Sequence, residues 1–166
     1  MNRPYIAPAI RPATHADEHA LAVIDRATWS TTVSPAALWP VGTPFFAEHT
    51  QPENVLVAHD DTHIVGYLKL RPYPHPACSD HIQEIHGFAV SPSQQGRGIG
   101  SFLIRAAQKE AIRRQARRVR LRVLGTNLRA QRLYLAHRFQ VEGRLREQFL
   151  IAGQYVDDVL MGTLLG

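Results

Sequence analysis

The stretch Val90-Ser-Pro-Ser-Gln-Gln-Gly-Arg-Gly-Ile-Gly-Ser-Phe-Leu103 decides how this chain is interpreted. Its three alternating glycines (Gly96, Gly98 and Gly100) join an apolar segment typical of a strand to one typical of a helix. Because glycine lacks a Cβ, this backbone can approach a ligand closely and turn several N–H groups the same way. A helix that begins there adds unpaired donors and the positive end of its dipole. The stretch therefore predicts a site for a phosphate or pyrophosphate, with the charge of Arg97 at its rim.

Two well-known phosphate-binding loops do not fit this stretch. A dinucleotide-binding loop needs the spacing G-x-G-x-x-G and an acidic residue about twenty positions later. This chain has G-x-G-x-G, and residues 119–124 offer only arginines and apolar side chains. The G-x-x-x-x-G-K-[ST] loop of nucleoside triphosphate-binding proteins is absent too. Taken alone, the glycines are also compatible with tight packing.

Length and composition bound the fold and the compartment. The 166 residues, 45% hydrophobic and 20% charged, fit one globular domain over residues 1–166. The single cysteine, Cys78, cannot form an internal disulfide, which favours a reducing cytoplasm. No apolar stretch approaches the length of a membrane span, and the N-terminus lacks the apolar region of a signal peptide. We therefore expect a cytoplasmic protein with no membrane partner.

Much of the formal charge of +5 lies in the arginine-rich run at residues 113–122. Cations are favoured near the negative end of a helix, so the run is typical of a solvated helix end followed by an exposed strand face. An acidic ligand and nucleic acid are the alternatives. No aromatic residues interleave with these arginines, which argues against binding of single-stranded nucleic acid.

Hydrophobic periodicity, caps and turn residues predict the order of the elements. A first helix is capped by Thr14 or Asp17 and ends near Trp29, and Asn127 caps the last one. The predicted strands are 6–11, 54–59, 63–70, 81–90, 118–124, 140–151 and 155–165, and the other helices are 98–115 and 127–137. Residues 30–50 are predicted to form short helical turns and loop, and residues 71–80 a loop. This order indicates a mixed α/β fold with a largely antiparallel sheet.

Three ordered motifs resemble those of a known family. Gln95-Gly-Arg-Gly-Ile-Gly100 resembles the Q/R-x-x-G-x-G/A coenzyme A loop of the GNAT superfamily of acetyl-CoA-dependent N-acetyltransferases. Glu84-Ile-His-Gly-Phe-Ala-Val-Ser91 is similar to that family's fourth strand. Asn127-x-x-Ala130-x-x-Leu133-Tyr134-x-x-x-x-Phe139 is similar to its second cofactor motif, with Arg138 in place of the usual glycine. The tail, residues 142–161, resembles the closing hairpin of members that act on amino acids, phosphinothricin or polyamines.

The resemblance implies a GNAT fold of the α/β class. This fold is a mixed, mostly antiparallel sheet of about seven strands with flanking helices, splayed between the fourth and fifth strands. It also implies acetyl-CoA as co-substrate and no metal. The segment 75–81, with one cysteine and two histidines, falls short of a zinc set. The implied cofactor-binding residues are Phe88, Ala89, Val90, Gln95, Gly96, Arg97, Gly98, Ile99, Gly100, Ser101, Asn127, Ala130 and Tyr134.

Three residues are candidates for proton transfer. Tyr134, with an ordinary pKa of about 10, stays protonated at neutral pH and can donate to a departing thiolate. Without the surrounding motif it reads as a core aromatic. Glu84, the first choice for the general base, stands where histone-acetylating relatives carry their catalytic glutamate, and His86, the second choice, matches a histidine of arylalkylamine-acetylating relatives. The two are nominally on one strand face, and a mechanism that uses neither as the base stays open.

We therefore expect an N-acetyltransferase that acts on a primary amine of a small molecule: an amino acid, a polyamine or an amine-containing toxin. A protein N-terminus or lysine is the alternative acceptor, and a non-catalytic acyl-CoA-binding module is the alternative from another class. Trp29, Trp39, Phe45 and Phe46 lie where relatives build the acceptor pocket, although at least two of them are expected to pack in the core. Homodimers are common in the family, but the sequence marks no interface.

Overall fold

A seven-stranded sheet flanked by helices forms the fold in the computed structural model, which describes residues 7–74 and 76–166. The strands are β1 (Ala9–Pro12), β2 (Val55–His59), β3 (Ile64–Pro72), β4 (Ile82–Val90), β5 (Arg118–Leu124), β6 (Gln140–Ile151) and β7 (Gln154–Leu164), and the α-helices are α1 (Glu18–Thr28), α2 (Ile99–Arg113) and α3 (Leu128–Ala136). The strand order is β1-β2-β3-β4-β5-β7-β6, antiparallel except for the parallel β4–β5 pair. The predicted mixed, mostly antiparallel sheet is confirmed.

The predicted elements differ from the observed ones mainly at their ends. The expected start of the first strand at Ile6 lies outside the described residues. Helix α2 ends at Arg113 because Gln115 takes a φ of 62° and the Ala116 N–H turns back to the Ala111 carbonyl at 2.9 Å. This is the hydrogen-bond pattern with which helices commonly stop. Strand β3 runs on into Pro72, because its last residues still pair with β4.

Two apolar clusters lie on opposite faces of the sheet, because neighbouring strand residues alternate between them. Helix α2 buries Leu103 and Ala107 against the face that carries Leu68. Helix α1 buries Leu21 in the second cluster, on the face that carries Tyr67. Both helices are amphipathic, and burial of these side chains supplies the main driving force for the fold.

Strands β4 and β5 separate halfway along their length. Their ladder joins residues 82–85 to residues 118–121 and then stops, although both strands continue. At the same level β4 contains a bulge: Leu70 pairs with Ile85 but Lys69 pairs with Gly87, which leaves His86 as the extra residue. Bulges bend a strand and increase its twist. The predicted splay between the fourth and fifth strands is confirmed.

The arginine-rich run is exposed only in part. At its helix end Arg113 is solvated as expected, with a side chain that is 73% exposed, but Arg114 is mostly buried and donates to the Glu53 and Leu70 carbonyls. The strand arginines, in contrast, pair with carboxylates of other strands: Arg118 with Glu142 of β6, Arg120 with Glu84 of β4 and Arg122 with Asp158 of β7. The strand face is therefore a set of internal ion pairs and not the open basic surface that the sequence suggested.

Candidate active site

The glycine loop (residues 95–100) leads into the start of α2 and leaves a row of N–H groups without acceptors. Gly96 and Gly98 have φ angles of 79° and 77°, and Gly98 is the N-cap of the helix. The N–H groups of Gly96, Gly98, Ile99 and Gly100 have no hydrogen-bond acceptor among the described residues. The helix dipole and these aligned donors together suit a phosphate or pyrophosphate.

Gly100 serves packing and not a left-handed turn. A Cβ at this position would lie 2.9 Å from Cζ of Phe88 and 2.9 Å from Cδ2 of Leu133. The missing side chain lets strand β4 and helix α3 approach α2 closely. The three glycines therefore have two roles. Gly96 and Gly98 give the loop its conformation, and Gly100 allows β4 to pack closely against the start of α2.

The main-chain N–H and C=O groups of Phe88 and Val90 point away from β3, toward the edge of β4 that is no longer paired with β5. In an antiparallel ladder, hydrogen-bonded pairs alternate with pairs whose N–H and C=O groups face away from the partner strand. The Ser91 N–H donates to the Val65 carbonyl at 2.9 Å, so Phe88 and Val90 occupy the alternate, outward-facing positions. The Gln95 side-chain amide reaches the Val90 carbonyl at 3.0 Å, in agreement with that direction. This edge can pair with an extended ligand.

A cavity of about 1730 Å³ joins the glycine loop to the opened edge of β4. All of the implied cofactor-binding residues except Arg97 and Tyr134 line it, and so does His86. Arg97 is exposed beside the loop and donates to the Gln94 side chain at 2.6 Å. The structure therefore brings the first and second cofactor motifs to one space.

Asn127 and Tyr134 of the second motif lie in different surroundings. Asn127 caps α3 as predicted, since its side chain accepts from the Ala130 N–H at 3.1 Å. Asn127 and Ala130 both line the cavity. Tyr134 is buried between Phe88 and Phe139, with ring centroids 6.3 and 5.7 Å away. Burial raises the pKa of Tyr134 well above its ordinary value. No described residue forms a hydrogen bond with the Tyr134 hydroxyl. The phenol stays protonated at neutral pH.

Glu84 and His86, two residues apart on β4, have different surroundings. The Glu84 carboxylate is buried and accepts from Arg71 at 2.9 and 3.1 Å, and Arg120 lies 3.8 Å from it. His86 lines the cavity, whereas Glu84 is absent from the described lining. The register agrees with the expectation that both share a strand face, because Glu84 faces Arg71 and the bulge at His86 faces Lys69, two positions along β3.

His86 is suited to accept a proton at neutral pH. Desolvation inside the cavity lowers the pKa of His86 below its ordinary value. The positive charges of Arg71 and Lys69 add to that effect, and the negative charge of Glu84 opposes it. The imidazole is therefore neutral at pH 7 and offers a lone pair.

Strand β3 adds polar residues that the sequence analysis overlooked. Tyr67 and Lys69 line the cavity, and the Tyr67 hydroxyl donates to the carboxylate of Asp25 in α1. Burial raises the pKa of Tyr67 well above its ordinary value, and the neighbouring carboxylate contributes. Desolvation lowers the pKa of Lys69, while Asp25 opposes that shift. The signal was the alternation of polar and apolar residues along 66–71, which the sequence analysis used only to assign a strand.

The aromatic residues of 29–46 divide between cavity and core. Trp29, Trp39 and Phe45 line the cavity, and the described lining does not include Phe46. Phe45 is buried and belongs to the second apolar cluster, the one that α1 covers. It packs edge-to-face on Phe46 and Tyr67, with ring centroids 5.3 and 4.9 Å apart. Of the two or more aromatics expected to pack in the core, Phe45 does so, and Phe46 is half-buried and packs against the same cluster.

The predictions about a metal site and a membrane span concern only part of the chain here. Within residues 7–74 and 76–166, no group of three or more His, Cys, Asp and Glu side chains could hold a metal ion, and His75 lies outside these residues. None of the helices in the described part of the chain combines the length and apolar character that a membrane crossing requires.

Comparison with known proteins places the fold in a family. The model of the acetyltransferase (GNAT) family matches residues 18–139. A protein of Streptococcus mutans UA159 is 28% identical, with a TM-score of 0.81 over 95% of this chain and 99% of that one. The yncA protein of Salmonella typhimurium, crystallised with its cofactor acetyl-CoA, is 21% identical, with a TM-score of 0.80 over 96% of this chain and 94% of that one.

A third solved structure has a similar fold. It is a phosphinothricin acetyltransferase of Sinorhizobium meliloti in complex with acetyl-CoA, 18% identical, with a TM-score of 0.80 over 97% of this chain and 90% of that one. At this identity, as for yncA, the likeness concerns the fold. A comparison with curated proteins gave no match.

Proposed function

Because the chain belongs to the GNAT family of acetyltransferases, we propose that it transfers an acetyl group from acetyl-CoA to a primary amine of a small molecule. One observation carries this proposal: the unpaired N–H row of the glycine loop and the outward-facing edge of β4 open into a single cavity. An anion-binding end and a strand edge side by side suit a pyrophosphate joined to an extended pantetheine arm.

The residues of the chain divide the binding of acetyl-CoA between them. Its thioester supplies, when bound, a carbonyl carbon for the amine to attack and a thiolate that leaves. The N–H groups of the glycine loop hold the pyrophosphate. The main-chain groups of Phe88 and Val90 hold the pantetheine arm, and the Phe88 N–H polarises the acetyl carbonyl. A preorganised donor of this kind costs no rearrangement during the reaction.

His86, and not Glu84, is proposed to accept the proton of the attacking amine. The imidazole lines the cavity and its lowered pKa keeps it neutral at pH 7. Glu84 is buried, paired with Arg71 and Arg120, and absent from the described lining of the cavity, so its carboxylate is already engaged inside the sheet. In this proposal Glu84 positions the arginines beside the site.

Tyr134 is proposed to donate a proton to the leaving thiolate. Its phenol is protonated at neutral pH, and its ring packs against Phe88, whose main chain borders the cavity. Cys78 is exposed in the 73–81 loop and is absent from the described lining of the cavity, so no covalent acyl-enzyme step is proposed.

The proposal is tested by release of free thiol from acetyl-CoA in the presence of a panel of amines. The panel contains amino acids, polyamines and peptides with free N-termini or lysines. Turnover with a small amine supports the proposal. Turnover with peptides alone assigns a protein acceptor, and tight acetyl-CoA binding without thiol release from any amine indicates a binding module.

A further inference from the structure

One charged residue of the cavity has no hydrogen-bonding or ion-pair partner among the described residues, and the Asp25 carboxylate acts on it only from beyond ion-pair distance. Four side chains of the described lining carry a positive charge: Arg26, Lys69, Arg122 and Arg129. Three of them are engaged, Arg26 with the Trp39 carbonyl, Arg122 with the Asp158 carboxylate and Arg129 with the Gln95 side chain. The Lys69 ammonium has no acceptor and no ion-pair partner among the described residues.

Lys69 is held in place by what surrounds its hydrocarbon stem. The residue faces Gly87 in the β3–β4 ladder, and a Cβ on Gly87 would lie 2.9 Å from the Lys69 Cδ. The ammonium therefore lies beyond the strand, 4.1 Å from the centroid of the Phe45 ring. A cation–π contact of this kind stabilises the ammonium only in part. A half-buried cation of fixed position normally has an anion as its partner.

The carboxylates of the cavity are already used by the protein. Asp25 accepts from the Tyr67 hydroxyl, and Glu18 accepts from the main-chain N–H groups of Phe45 and Phe46. Neither lies within ion-pair distance of Lys69. The described lining therefore carries a net positive charge, which favours an anionic ligand beside Lys69.

The position of Lys69 indicates that this ligand is the acetyl acceptor and not acetyl-CoA. Its ladder partner Gly87 follows His86, the proposed proton acceptor, and the charge of Lys69 contributes to the shift of the His86 pKa. The phosphate-binding N–H groups belong to the glycine loop, a different segment of the lining. An anion on Lys69 is thus an anion carried by the molecule whose amine reacts near His86.

We propose that Lys69 binds a carboxylate of the acceptor, so that the substrate is an amino acid or another amino-carboxylate and not a polyamine. The inference rests on the proposed acetyl transfer. A polyamine would add positive charges to a lining that already has an unpaired cation, whereas an amino-carboxylate supplies the missing anion and the reacting amine together.

Matched substrates and variants test this inference. Thiol release from acetyl-CoA is measured with each of the common L-amino acids, with the corresponding α-carboxamide, and with spermidine and putrescine. The variants are Lys69→Met, Lys69→Arg and the control Lys109→Met, which changes the other lysine of the chain, on the exposed surface of α2.

The preferred acid should exceed its carboxamide in kcat/KM by about tenfold to a hundredfold, the worth of a hydrogen-bonded charge. Lys69→Met should remove that preference and leave the carboxamide within about twofold, while Lys69→Arg and Lys109→Met retain it. Equal use of acid and carboxamide, a polyamine as the best acceptor, or an equal loss for both substrates in Lys69→Met would overturn the inference and leave acetyl transfer intact.

A binding measurement separates this inference from the proposed function. The tryptophans Trp29 and Trp39 both line the cavity, so their emission reports occupancy without turnover. The same acid and carboxamide pairs are titrated in the presence of coenzyme A. Lys69-dependent binding of an acid supports the inference even if no thiol is released, and acids that bind no better than their carboxamides overturn it.

Discussion

The Tyr67 hydroxyl donates a hydrogen bond to the Asp25 carboxylate and so joins strand β3 to helix α1 at the wall of the cavity. The two residues are 42 positions apart in the chain, and both line the proposed acceptor side. The contact fixes the helix over the sheet at the place where Lys69 and His86 face the same space. Its loss should therefore affect the stability of the fold as well as the shape of the site.

Replacement of Tyr67 by Phe tests that contact. The change removes the donor and leaves a partly buried carboxylate with one hydrogen bond fewer, which should lower the free energy of unfolding by about 1–3 kcal/mol. Urea denaturation measures the change. Tyr155→Phe is the control, because Tyr155 is 68% exposed. Equal stability of the two variants would show that the bond contributes nothing net.

The left-handed glycines allow a matched test of the glycine loop. Gly96 and Gly153 have φ angles of 79° and 78°, and a Cβ at either meets no atom within 4 Å. Ala at either position should cost about 1–2 kcal/mol of stability through backbone strain alone. Calorimetric titration with acetyl-CoA should show weaker binding for Gly96→Ala only, since Gly153 lies in the β6–β7 turn. Equal affinities would exclude the loop from the cofactor site.

His86 should impose an inflection on the pH profile of kcat/KM. The group must be neutral to accept a proton, and its pKa is lowered, so activity should rise through a pH below about 6.5 and then no longer depend on this group. His86→Gln should remove the inflection and lower the rate about 10²-fold to 10⁴-fold. His63→Gln, in the exposed β2–β3 turn, serves as the control. An unchanged profile in His86→Gln would assign the base elsewhere.

Replacement of Tyr134 by Phe separates chemistry from packing. No described residue hydrogen-bonds the phenol, so loss of the hydroxyl should change the free energy of unfolding by less than about 1 kcal/mol. If the hydroxyl protonates the leaving thiolate, kcat should fall about 10²-fold or more. Steady-state kinetics and urea denaturation of one preparation measure both. Turnover that stays the same across pH would eliminate Tyr134 as the acid.

Asp17 should make the stability depend on pH in acid. The hydrogen bond from Arg11 lowers the pKa of Asp17 to about 2, and the Thr14 N–H contributes. Because the folded pKa lies below the ordinary value of about 4, the stabilisation is complete above that pH and is lost as pH falls toward 2. Asp17→Asn should therefore be less stable by about 2 kcal/mol at pH 7.

The same variant should approach the wild type in stability near pH 2. Denaturation at several pH values measures the difference, with Asp61→Asn in the exposed β2–β3 turn as the control. A difference that is constant from pH 7 to pH 2 would mean that the Arg11–Asp17 contact does not hold the carboxylate in its charged form.

The elements and the phosphate-binding loop could be predicted because their signals are local. The Asn127 cap, the glycine loop and the turn at Ala152 and Gly153 each depend on a few contiguous residues whose backbone preferences are known. Periodicity over ten to fifteen residues placed α2 and the long strands β6 and β7 within one or two residues. These features need no knowledge of what lies across the sheet.

The roles of Glu84 and His86 could not be predicted, because they depend on register. The arginines that pair with Glu84 belong to β3 and β5, and His86 is the extra residue of a bulge that lies where β5 leaves β4. The burial of Tyr134 likewise depends on Phe88, a residue of another element. Sequence spacing along one strand or helix contains no information about such partners.

The sequence by itself therefore determined the family, the order of helices and strands, and the loop that would hold a phosphate. Only the tertiary structure decided which candidate base reaches the cavity and that Lys69 lies there with no ion-pair partner among the described residues. The physical reason is that backbone conformation follows from neighbours in the chain, whereas charge pairing and desolvation follow from neighbours in space.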